Sequence, residues 1–126
     1  MRTPEGKVKN RIKKLLKEYN IYYVMPVTSG FGNSGAPDFL LCMKGKFVGV
    51  ECKAGNNRMT RLQELNHEHI LDSGGLFFLV TENTFDRFAA LIKHTYEDNH
   101  GRNTDTPTQE NAQSSDTGEE RSDSES

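Results

Sequence analysis

Between Gly35 and Lys53 lie two short apolar runs, Phe39 to Met43 and Phe47 to Val50, separated by Lys44-Gly45-Lys46. Aliphatic, β-branched and aromatic residues flanking a glycine that tolerates positive φ are the signature of a β-hairpin. With Lys44-Gly45 as the two-residue loop, Met43 faces Lys46, and counting outward sets Asp38 opposite Glu51 with both side chains on one face. Lys53 shares that face, being two residues beyond Glu51.

Carboxylates opposed across two strands repel one another, so a sheet with no further task would rarely carry them there. A divalent cation between them removes the conflict. Hard oxygen donors in this number suit Mg²⁺, which takes one or two protein carboxylates and keeps room for water and phosphate oxygens. A lysine beside such a site fits phosphoryl chemistry, because it can orient or help deprotonate an attacking water and neutralise charge in the transition state.

Pro37-Asp38 followed by Glu51-Cys52-Lys53 resembles the PD-(D/E)xK signature of metal-dependent nucleases. The glycine-rich loop leading into Gly35-Ala36-Pro37-Asp38, the strand Val48-Gly49-Val50-Glu51-Cys52-Lys53 and the following Gln63 are similar to the VRR-NUC branch of that superfamily. The likeness spans roughly residues 1 to 95. The Val-Arg-Arg triplet that names the branch is absent.

The apolar share, 33% of 126 residues, allows one small core. From Glu97 onward no aliphatic side chain larger than Ala112 occurs, and no aromatic one, so 97–126 reads as a disordered acidic tail behind a domain of residues 1–96. The domain holds 14 Lys or Arg against 9 Asp or Glu and the tail 2 against 9, or +5 and −7. A basic domain calls for a polyanionic partner; the tail either solvates the chain or competes with that partner. Cys42 and Cys52 point to opposite faces of the hairpin, which disfavours a disulfide and fits a reducing, intracellular, cytoplasmic setting. No signal peptide is visible, and no apolar run reaches the ~18 residues of a membrane span.

Thr3-Pro4-Glu5 supplies an N-cap, a proline at the first helical position and a first-turn acid. Val8, Ile12, Leu15, Leu16 and Tyr19 give the following helix an apolar face, while Lys7, Lys9, Arg11, Lys13, Lys14 and Lys17 face solvent or nucleic acid. Ile21 to Val27 reads as a first strand. The next loop spells GxGxxG from Gly30 to Gly35, but a strand and not a helix follows it, so no dinucleotide cofactor is expected. Ser29, Asn33 and Ser34 there are either phosphate contacts or plain loop residues. Thr60 caps a helix to about Ser73, with Leu62, Leu65, His69, Ile70 and Leu71 as its buried side and Gly74-Gly75 as its stop. Arg58 and Arg61 flank its start and can hold a backbone phosphate. Leu76 to Thr81 reads as a strand buried on both faces, and Asn83 or Thr84 opens a last helix with Phe85, Phe88, Leu91 and Ile92.

The order α-β-β-β-α-β-α, an antiparallel hairpin continued by a right-handed crossover, makes an α/β fold with a mixed central sheet flanked by helices. The resemblance names it a restriction-endonuclease-like αβββαβ core. It implies a Mg²⁺- or Mn²⁺-dependent DNA endonuclease with Asp38, Glu51 and the Cys52 carbonyl on the metal and Lys53 at the water. Gln63 and Glu5 are accessory in that scheme, although Thr60-x-x-Gln63 is also a capping box and Glu5 also suits the helix dipole. Lys7 and Lys14 join the loop residues and arginines as DNA contacts. Branched DNA such as a four-way junction, a homodimer and a phage origin are further implications of the resemblance. The alternative is a basic nucleic-acid-binding module that keeps the fold without cleavage.

Overall fold

The computed structural model describes residues 3–27 and 35–98. Its elements are α1 (Pro4–Glu18), β1 (Tyr22–Val24), β2 (Phe39–Met43), β3 (Lys46–Cys52), α2 (Arg61–Asp72), β4 (Leu76–Val80), α3 (Phe85–Lys93) and a π-helical turn, His94–Asp98. The expected order therefore holds. Ser29, Asn33, Ser34 and the tail from residue 99 lie outside the described residues.

The four strands stand in sequence order, β1-β2-β3-β4, antiparallel up to β3 and parallel between β3 and β4. The β2–β3 turn is the two-residue loop expected: Met43 pairs with Lys46, and Lys44 and Gly45 take φ of 52° and 83°. Positive φ at both central residues matches the right-handed strand twist and locks the register. Phe39 pairs with Val50, so Asp38 and Glu51, one step outward, are opposed.

On one sheet face Phe39, Leu41, Met43, Val48, Val50 and Cys52 are all buried, and α1 lies over β3 with Val8, Ile12, Leu15 and Leu16 turned inward. Full burial of each such aliphatic or aromatic side chain contributes roughly 1.5–3 kcal/mol. Thr3 caps α1 by accepting from the Gly6 N–H at 2.9 Å, with Pro4 in the first turn. Phe88 of α3 packs against Phe78 on the same face, and the Arg11 guanidinium sits 4.0 Å from the Phe85 ring centroid. Cys42 is exposed and Cys52 buried, both as free thiols.

The opposite face is covered by α2 in an unexpected orientation. Leu62, Leu65 and Leu71, expected to be buried, are exposed, as is His69, and no α2 residue is fully buried. The inward stripe is Gln63, Asn66, His67 and Ile70, half-buried at i, i+3, i+4 and i+7. The cause is the surface beneath. A Cβ on Gly35 would stand 2.5 Å from the Leu62 carbonyl oxygen, and Cβ atoms on Gly49 and Gly75 would each meet Ile70 at 2.9 Å. Three missing side chains let the helix settle onto the sheet, while His67 stacks on Phe77 at 4.2 Å between centroids. Contacts of this closeness outweigh the hydrophobic pattern of the leucines.

Gly35→Ala is accordingly expected to cost roughly 1–3 kcal/mol, because the Leu62 backbone cannot yield without lifting α2. Urea unfolding should show a lower midpoint at unchanged slope. A wild-type midpoint would mean that α2 does not rest on this glycine.

Two strands also differ from expectation. β1 stops at Val24 where Ile21 to Val27 was expected, because Pro26 has no N–H to offer the ladder. β4 was expected to be buried on both faces but is the last strand of the sheet among the described residues, with Leu76 and Leu79 exposed. The chain divides into two units, Met1–Ala89 and Ala90–Ser126; all four strands, α1 and α2 lie in the first. Of the second, the end of α3 and the π-helical turn are described, with Thr95 Oγ1 donating to the Leu91 carbonyl at 2.8 Å.

Candidate active site

Asp38 lies just before β2 and Glu51 near the end of β3, where the first turns of α1 and the N-terminus of α2 can both reach the carboxylates. Each Asp38 oxygen has a partner. The Cys52 backbone N–H donates to Oδ2 at 2.8 Å, and the Lys9 ammonium stands 3.3 Å from Oδ1.

Glu51 is the one buried charged side chain among the described residues, at 2% exposure. Its Oε2 accepts from Gln63 Nε2 at 2.8 Å and lies 3.7 Å from the Lys53 ammonium. Its Oε1 is buried with no hydrogen-bond partner among the described residues. A buried carboxylate oxygen without a donor is costly and calls for an explanation. Burial first, and the Asp38 charge next, push the Glu51 carboxyl up to about 7, with the Lys53 ammonium opposing them. Near neutral pH this group therefore sits between its protonated and charged forms.

Gln63 serves both roles that its position suggests. Its Oε1 accepts from the Thr60 N–H at 2.8 Å and Thr60 Oγ1 accepts from the Gln63 N–H at 3.1 Å, completing the capping box. Because Thr60 N–H can only donate, the amide oxygen must face it and the amide NH₂ must face Glu51. The helix cap thus aims the donor at the carboxylate.

Lys53 continues the parallel ladder through its N–H to the Val80 carbonyl at 3.0 Å, and its side chain is only 12% exposed. Glu5 lines a cleft of about 380 Å³ together with Thr3, Pro4, Gly6, Lys9, Ala54 and Asn57. It is close enough for its charge to add to the upward push on Glu51. Among the described residues no group of three or more His, Cys, Asp or Glu side chains is arranged to hold a metal by itself. The Cys52 thiol is buried, and burial followed by the Asp38 and Glu51 charges pushes it well above its ordinary value, so it stays protonated.

Lys7, Lys14, Arg58 and Arg61 are exposed on the surface and are not drawn into the carboxylate cluster; Arg61 pairs with Glu64 at 3.6 Å. Two participants were not anticipated. Lys9, grouped by sequence with the outward lysines, is half-buried on Asp38. Burial alone would lower its ammonium, but the charge and hydrogen bond of Asp38 and the charge of Glu5 leave it raised. The available signal was its spacing, one turn beyond Glu5 on the same helix face. Glu82, just past β4, accepts from the Gly55 N–H with both carboxylate oxygens at 3.0 Å, pinning the turn that carries Ala54 and Asn57 into the cleft. That backbone hydrogen bond holds its carboxyl below the ordinary value.

The opposed Asp38 and Glu51 carboxylates, with the buried Glu51 Oε1 unpaired among the described residues, offer hard oxygen donors of the kind that Mg²⁺ or Mn²⁺ accepts. The residues present fit such an ion. No protein-family model and no curated protein matches the sequence. A solved chain described as a VRR_NUC domain is similar to this one at 25% identity and a TM-score of 0.56, over 75% of this chain and 99% of that chain. The mixed sheet flanked by helices is thus the restriction-endonuclease-like fold of that domain.

Proposed function

We propose, from the VRR-NUC fold that this chain carries, that it is a metal-dependent endonuclease hydrolysing phosphodiester bonds of DNA, selective for branched structures such as four-way junctions. The observation that carries this reading is the buried Glu51 Oε1 beside Asp38, unpartnered among the described residues, an arrangement that is unfavourable in a sheet unless a cation completes it.

Asp38, Glu51 and the Cys52 carbonyl would hold Mg²⁺ or Mn²⁺, which supplies Lewis acidity toward the phosphodiester and the attacking water. The protein supplies the rest. The Cys52 N–H fixes the Asp38 carboxylate, and Gln63 fixes that of Glu51. Lys53, restrained beside Glu51, places its ammonium where it can orient the water and neutralise charge developing on the phosphoryl oxygens. Glu5 borders the cleft through which a phosphate would enter.

The +5 charge of residues 1–96 and the exposed Lys7, Lys14, Arg58 and Arg61 favour recognition through the DNA backbone and its shape over base reading. Ser29, Asn33 and Ser34 join them as phosphate contacts in this scheme. A homodimer would match the two-fold symmetry of a four-way junction. The acidic segment 97–126 would modulate affinity, either as a solvating tail or as a competitor for the basic surface. Two free thiols accord with a cytoplasmic setting, including that of a phage-infected bacterium. No described helix is long and apolar enough to cross a membrane.

The test is cleavage of a labelled four-way junction and of a linear duplex of the same sequence with Mg²⁺, Mn²⁺ or EDTA. Cutting of the junction in preference to the duplex, lost in EDTA, is expected. A protein that binds both DNAs and cuts neither with either metal is instead the non-cleaving basic binding module.

A further inference from the structure

One charged group in the site has no part in the scheme above. The Lys9 ammonium stands 3.3 Å from Asp38 Oδ1, the oxygen left over after Oδ2 has taken the Cys52 N–H. A divalent ion bound through Asp38 Oδ1 would have to share that oxygen with a cation or displace it. Like charges a few ångströms apart in a partly buried site are strongly unfavourable.

The geometry points to Lys9 as a resident counter-cation that gates the metal: it holds Asp38 Oδ1 in the metal-free protein, leaves when a divalent cation takes that oxygen, and is received by Glu5 one turn earlier on α1. The role rests on the reading of Asp38 and Glu51 as metal-holding groups.

Three observations support the exchange. Lys9 is 35% exposed, on the wall of the 380 Å³ cleft, so the displaced ammonium has space to move without unpacking the core. Glu5 and Lys9 share that wall at i, i+4 spacing with the acid on the N-terminal side, the favourable order for a helical ion pair. The Glu5 charge already acts on the Lys9 ammonium from this wall. The same charge is then available to the displaced ammonium. Lys9 is a positioning residue here. It keeps Asp38 oriented and charge-balanced before the ion arrives and raises the divalent concentration needed to fill the site.

The experiment is Mn²⁺ binding to the full chain without DNA, read from the loss of the free-ion signal in electron paramagnetic resonance. Wild type, Asp38→Asn, Lys9→Met, Lys9→Gln, Lys9→Arg, Glu5→Gln and the double variant Lys9→Met/Glu5→Gln are compared, each checked for native circular dichroism. Removing the competing charge should tighten Mn²⁺ about three- to ten-fold in Lys9→Met and Lys9→Gln, whereas Lys9→Arg stays near wild type. Glu5→Gln should weaken Mn²⁺ when Lys9 is present and have no effect in the Lys9→Met background, a coupling that the double-mutant cycle isolates.

Unchanged or weaker Mn²⁺ affinity in both neutral Lys9 variants would overturn the gate. A Glu5→Gln loss that persists without Lys9 would make Glu5 a metal ligand and overturn its receiving role. If wild type binds no more Mn²⁺ than Asp38→Asn, the metal site itself is wrong and the gate goes with it.

Discussion

Lys53→Ala is expected to lower metal-dependent DNA cleavage by about 10²- to 10⁴-fold, the range associated with removal of a positioned general acid–base group or electrostatic stabiliser. The effect should fall on kcat, because the Lys53 ammonium is held against Glu51 inside the site, at 12% exposure, and contributes little surface to ground-state DNA binding. DNA affinity in EDTA should stay within about two-fold of wild type, since one shielded cation adds little to a footprint made by many exposed ones. Asp38→Asn should abolish cleavage as deeply but by another route. It weakens Mn²⁺ binding and leaves Lys9 without its acceptor, so excess metal should restore part of the rate for Asp38→Asn and none for Lys53→Ala. Single-turnover rates across a Mn²⁺ titration distinguish the two. A Lys53→Ala protein that cuts at the wild-type rate would remove this lysine from the chemistry.

Glu51→Gln should eliminate cleavage and, with metal absent, make the protein more stable at alkaline pH. The carboxyl is raised from an ordinary 4.5 to about 7 in the folded chain. Below about 4.5 it is protonated in both states and costs nothing. Between about 4.5 and 7 the unfolded chain has lost this proton while the folded one keeps it, so stability falls as pH rises. Above about 7 the full penalty is present. At 1.36 kcal/mol per pKa unit that amounts to about 3 kcal/mol, of which glutamine, neutral and able to accept from Gln63, should recover a large part. Urea unfolding in EDTA at pH 5 and pH 8 provides the check. The wild type should lose stability between the two and the variant should not, apart from background shared by both. Saturating Mg²⁺ should then stabilise the wild type by mass action and leave Glu51→Gln unchanged. A variant less stable than wild type at pH 8 in EDTA would show that the Glu51 carboxylate is stabilised in the folded chain and overturn this prediction. The opposite signs for activity and stability are those expected of a strained functional group in an otherwise cooperative fold.

The local devices of this chain were legible in one dimension. Thr3-Pro4-Glu5 starts α1, Thr60 and Gln63 cap α2, and Lys44-Gly45 turns the hairpin, because each depends on residues within a few positions of one another. The hairpin loop sets the register, and register sets side-chain parity, so the opposition of Asp38 and Glu51 follows from counting. The element order and the mixed sheet follow from the same periodicities.

What escaped the sequence depends on which surfaces meet. The leucines of α2 spell a buried stripe, yet the helix presents Gln63, His67 and Ile70 to the sheet because Gly35 leaves room for the Leu62 backbone and Gly49 and Gly75 leave room for the Ile70 side chain. Lys9 is one lysine among six cations on α1 until the rotation of that helix brings its ammonium to Asp38, 29 positions away in the chain. Glu82 pins the Gly55 turn across 27 positions. By itself the sequence determined the capped helices, the hairpin register and the pair of opposed carboxylates, all consequences of short-range geometry. Only the tertiary structure decided which helix face touches the sheet and which cation balances those carboxylates, since packing and electrostatics act through distances in space that chain separation does not encode.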